Sequence, residues 1–274
     1  MPKPKQVIQR QGTREHGFGH HDNQELVDIF ENQKREFRYT FQGKDPRDAK
    51  VVFISLDANF TSIQQNDSIP ENLRVYLNNA EEYIDNYGGR PLLNSHHPYM
   101  AIRFHNRLRS ILRRKDDEQN IYRHDVLKSI SFVELLWMPT YGNSTGYPEI
   151  YSDMVNEKEN MEHLSNLDHA LAGNPENKTI VVFKPAYDKI REQNFENIFN
   201  KEMSVFRFIR NSNLVISQAI EEGTEEDRLF ALSEFGGLRI VLSYHLSFTP
   251  TTEVANRYSN GMRNIVRKSM RLKL

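Results

Sequence analysis

Cysteine is absent from the chain, which removes disulfides, iron–sulfur clusters and thiolate zinc sites. That absence suits a cytoplasmic protein, the location expected here. No apolar run approaches the length of a membrane span, and the polar start MPKPKQVIQRQG lacks the apolar stretch of a signal peptide. No membrane partner is therefore expected, and residues 1–20 are read as a flexible N-terminus. Excess charge of one sign is lacking too: the net charge of −1 excludes a uniformly basic nucleic-acid binder but leaves room for a local basic face. Internal repeats and low-complexity linkers are missing, so one domain over 1–274 is expected, acting as a monomer.

What is present is an ordinary globular composition, with 38% hydrophobic residues, enough for a substantial core. Four short runs rich in Val, Ile and Phe are continuous rather than alternating, as strands buried on both faces must be. They cover residues 50–56, 129–136, 179–183 and 238–242. Helical periodicity lies between them. Met161, Leu164, Leu167 and Leu171 recur at three- and four-residue spacing, and Ile102, Leu108, Ile111 and Leu112 share a face opposite a run of arginines. Strands alternating with helices predict an α/β fold: three layers, α/β/α, around a central four-stranded parallel sheet. The polar stretch 61–98, with a helix near 70–86, and the stretch 200–235 are read as insertions.

Ligands of open parallel sheets bind outside the carboxyl ends of the strands. Polar residues just past those ends are Asp57 after the first strand, Glu134 and Asn143 in and after the second, and His245 after the fourth. Taken singly, an acid after a strand is more often a turn or cap residue, and a strand-end histidine more often structural. Their arrival on one rim is what points to chemistry.

The order of short motifs on these strand ends resembles the uracil-DNA glycosylase superfamily. Ser55-Leu56-Asp57-Ala58-Asn59 matches its first motif, and Pro98-Tyr99 its Pro-aromatic pair. Pro139-Thr140-Tyr141-Gly142-Asn143 matches its Pro-x-x-Gly-Asn, and His245-Leu246-Ser247 its final His-Pro-Ser. The match runs over roughly residues 48–268. It departs at Ala58 and Leu246, where many members have proline, and at Glu134, where the base-reading residue of the second strand is ordinarily asparagine.

The resemblance implies base excision by hydrolysis, without metal or other cofactor, leaving an abasic site in DNA. Breaking the glycosidic bond builds positive charge on the sugar and negative charge on the departing base. Asp57 would stabilise the first and orient water, and His245 would donate a hydrogen bond to the base as an oxyanion donor does. A flipped base needs a pocket, to which Tyr99 would give an aromatic floor and Glu134, Asn143 and Asn59 polar edges. Phe248 would wedge the duplex. Ser247, Thr249 and the helical stripe Arg263, Arg267 and Arg271 would hold phosphates.

Glu134 bears on the substrate. An asparagine amide matches the O4 and N3–H of uracil. An ionised glutamate only accepts, so it suits the amino group of a cytosine-like base, one modified at C5. The other reading of Glu134 is a structural ion pair, with a different residue reading the base. His16, His20, His21, His96 and His97 invite a metal reading, but no carboxylate or helical spacing completes a shell and no metal is expected. A catalytically silent DNA-binding member of the fold, and a hydrolase of a small nucleotide, are the rival functions, which fold alone does not separate.

Overall fold

The computed structural model describes residues 24–56, 79–87, 90, 128–137, 155–174, 176, 178–199, 202–216, 230–245 and 252–270. The four apolar runs form strands β2 (Val51–Ser55), β3 (Ile130–Glu134), β4 (Thr179–Phe183) and β6 (Leu238–Ser243). Nearly every residue in them is buried, which is why the runs do not alternate with polar residues. All four are parallel, in the spatial order β3-β2-β4-β6.

The sheet is wider than the four strands expected, and it is mixed. It has six strands in the order β1-β3-β2-β4-β6-β5, and both edges are antiparallel. The edge strand β5 (Phe230–Phe235) turns into β6 through Gly236 and Gly237, whose φ values of 55° and 85° suit a two-residue hairpin. At the other edge β1 is only Gln42–Gly43, paired with Ser131 and Phe132. It is held from outside by the Gln33 amide, which donates to the Phe41 carbonyl and accepts from the Phe41 N–H, both at 2.9 Å.

Seven α-helices occur among the described residues: α1 (Gln24–Phe37), α2 (Ala80–Tyr87), α3 (Lys158–Ala172), α4 (Lys184–Arg191), α5 (Glu196–Phe199), α6 (Ser204–Asn211) and α7 (Thr252–Met270). Their placement follows from two successive residues, which point to opposite faces of an extended chain. Lys178 sends its ammonium to the Ala170 and Leu171 carbonyls at the end of α3, and to those of Gly173, Pro46 and Arg47. Thr179 meets Ser269 of α7. So α3 covers one face and α7 the other.

On the α3 face, α6 packs against α3 and α4, and the buried carboxylate of Asp168 accepts the Phe206 N–H at 2.8 Å to cap α6. The span 200–235, expected as an insertion, thus supplies a covering helix and an edge strand. On the opposite face α7 buries Tyr258, Met262 and Val266 at four-residue intervals. No helix among the described residues is long and apolar enough to cross a membrane.

Candidate functional site

Reading the parallel strands in chain order, the second and third lie on opposite sides of the first. The switch point of this doubly wound arrangement is therefore the gap between the carboxyl ends of β2 and β4. Register fixes which side chains meet there. Phe132 pairs with Phe53, Glu134 with Ser55, and Ser243 with Phe183. All point to the α7 face, as do residues two positions further along each strand.

A row of rings runs across that face. Phe132 stacks on Phe53 with centroids 4.7 Å apart, Phe53 on Phe183 at 5.7 Å, and Phe183 meets the imidazole of His245 edge-on at 4.7 Å. The three phenylalanines are buried and His245 is half-buried. His245 thus leans back from β6 over β4. Glu134, at 5% exposure, follows Phe132 by two residues on β3 and so lies on the same face, in register with Ser55. The carboxyl ends of β3 and β6 are separated by three strand spacings, roughly 14 Å.

The exit of β3 is fixed by side chains from other elements. Thr40 donates its backbone N–H to Nδ1 of the fully buried His163 at 3.2 Å. Nδ1 must therefore be the unprotonated nitrogen, and Nε2–H donates to the Glu134 carbonyl at 2.9 Å. Burial is the main cause that lowers the His163 pKa to about 4, against the bond to Glu134, with the Lys34 charge lowering it further. The ring is neutral near pH 7. One turn earlier on α3, Asn160 accepts the Trp137 N–H at 2.9 Å and donates to the Leu135 carbonyl at 3.0 Å. Thr40 closes the arrangement by donating its hydroxyl to the Trp137 carbonyl at 2.9 Å. The Lys34 ammonium lies 5.3 Å from the centre of the Trp137 ring.

His245 has its own support. Tyr258 of α7, fully buried, donates its hydroxyl to the Tyr244 carbonyl at 2.6 Å and lies 2.8 Å from the Ser243 hydroxyl. The two residues before the histidine are thereby tied to the helix that covers this face. Arg263 sits half-buried on α7, its guanidinium 3.3 Å from the Asn260 amide oxygen, and Lys268 is exposed five residues on.

No protein-family model, curated protein or solved structure matches the chain. Of the residues singled out from sequence, the structure brings Glu134 and His245 to one face of the sheet and puts Arg263 on the helix covering it. Arg267 also lies on α7, with its side chain outside the description. Asp57, Asn59, Tyr99, Asn143, Ser247, Phe248, Thr249 and Arg271 lie outside the described residues. Sequence reasoning missed His163, Asn160 and Tyr258. The signal for the first two was a pair of polar residues three apart inside MEHLSNLDHALA and the residue before it, on the side where α3 buries Leu164 and Leu167.

Proposed function

We propose that the protein is a DNA glycosylase akin to the uracil-DNA glycosylase superfamily, hydrolysing the N-glycosidic bond of a flipped pyrimidine. One observation carries this reading. Glu134 and His245 lie at the carboxyl ends of β3 and β6, on the same sheet face, on either side of the switch point. An imidazole on one side supplies a donor for charge developing on the base. A carboxyl group on the other side supplies an acceptor for an exocyclic amine.

In the reaction, water adds to C1′ of the deoxyribose as the bond from C1′ to the base nitrogen breaks. The bonding pair leaves with the base, and the water proton passes to a carboxylate. Asp57, which directly follows Leu56 in the chain, is the residue proposed for that carboxylate. Glu134 favours a cytosine-like base modified at C5 over uracil: as a carboxylate it accepts from the exocyclic amine and repels the uracil O4, and as a buried acid it donates to the cytosine N3.

The test uses oligonucleotides, duplex and single-stranded, each with one candidate base: uracil, hypoxanthine, thymine opposite guanine, or a 5-substituted cytosine. Alkali then cuts at any abasic site. Cleavage of one base that disappears in Asp57→Asn and His245→Ala is the expected outcome, with a loss of about a hundredfold or more in each. Absence of cleavage on every substrate, with salt-sensitive DNA binding intact, would replace the enzyme by a binding module of the same fold.

A further inference from the structure

We infer that His163 is a positioning residue that sets base selectivity by holding the peptide of Glu134, an inference that rests on the glycosylase reading above. Glu134 is the last residue of β3, and its neighbour on the ladder, Ser55, is also the last of its strand. The ladder holds the other edge of this peptide, the Leu135 N–H donating to the Ser55 carbonyl at 3.0 Å, and the Glu134 carbonyl on the opposite edge needs a partner from outside β2. His163 takes over there: Nε2–H binds the Glu134 carbonyl, and Nδ1 is itself bound by the Thr40 N–H. The imidazole is therefore clamped in one tautomer and one orientation, between the segment before β1 and the end of β3. Asn160 fixes the next residues, Leu135 and Trp137, from the same side of α3.

The arrangement goes beyond what packing requires. Two polar side chains are buried at 0% and 1% exposure, and both spend their hydrogen bonds on residues 134–137 and on the chain beside them. A leucine at either place would fill the space but leave the backbone groups bound there buried without partners, so the two side chains both satisfy and orient this segment. A peptide carbonyl held at one point fixes the direction in which its own side chain leaves the strand. A base-reading group displaced by about 1 Å loses much of its discrimination.

Two substitutions separate the two bonds of the ring. In His163→Gln the side-chain amide reaches the position of Nε2 and keeps a donor on the Glu134 carbonyl. In His163→Asn the amide reaches only the position of Nδ1 and removes the imidazole's donor from the Glu134 carbonyl. The quantity read is the ratio of kcat/KM for the preferred base to that for the next best base in the oligonucleotide panel. This ratio is taken on one protein sample, so a lower folded fraction cancels. The expected result is a fall of about tenfold or more in the ratio for His163→Asn, with His163→Gln close to the unmodified protein.

Equal ratios in all three proteins would overturn the positioning role while leaving the glycosylase reading intact. Failure of both variants to fold would overturn it as well, since the contact would then serve the fold rather than the aim. An unmodified protein that cleaves no base in the panel would remove the glycosylase reading, and this inference with it.

Discussion

A single buried imidazole links the stability of the molecule to pH. The folded pKa of His163 is about 4, below its ordinary value of 6.5, so between these limits the unfolded chain binds a proton that the folded one does not. The contribution is present in full above about pH 6.5 and is lost as pH falls towards 4, amounting to roughly 3 kcal/mol at the lower limit. His163→Gln carries no such group. Denaturant unfolding at pH 7 and at pH 4.5 is expected to show a larger drop for the unmodified protein than for the variant; parallel drops would mean that the ring charges freely in the fold. This residue was illegible in the sequence for a physical reason. A polar side chain on the apolar face of a helix reads as an interruption, and its partners at positions 40 and 134 are distant in the chain. The positions of Glu134 and His245 were legible because the first lies within, and the second just beyond, a run that only a buried strand explains.

The same contrast holds for the elements. The four inner strands are visible in the sequence because burial on both faces forces continuous apolar runs. The edges are not. β1 is two residues long, too short for any pattern, and β5 is a run, FALSEF, that mixes apolar and polar residues. The hairpin signal was present all the same in Gly236-Gly237. At Gly236, with φ of 55°, an added Cβ would meet nothing within 4 Å, so a substitution there changes only backbone strain. Gly236→Ala is expected to lower stability by about 1 kcal/mol and Gly236→Asn by less, since asparagine tolerates the left-handed region. A shift in the denaturation midpoint checks this; equal effects of the two would mean that the turn has changed type. Because β5 pairs along the whole of β6, such a change reaches the strand that carries His245.

For the molecule as a whole, near-neutrality hides an uneven distribution of charge. The C-terminal stretch 257–274 holds Arg257, Arg263, Arg267, Lys268, Arg271 and Lys273 and no acid, in a chain whose net charge is −1. Its residues 257–270 lie on α7, the helix that packs over the sheet face carrying Glu134 and His245. DNA affinity is therefore expected to fall with salt, and Arg263→Ala to reduce the slope of log K against log salt by about one phosphate contact. An unchanged slope would take Arg263 out of the contact. Asp57, Tyr99 and residues 246–249, which the proposed site also requires, lie outside the described residues, and hydrophobic periodicity does not encode their positions.

The chain has one tryptophan, and it lies where α1, α3 and the end of β3 meet, beneath the Lys34 ammonium and fastened by Asn160 and Thr40. Its fluorescence is consequently a local signal rather than an average over the molecule. Any ligand that tightens or loosens the peptide beside Glu134 alters the field at this indole, and the emission reports it in the unlabelled protein.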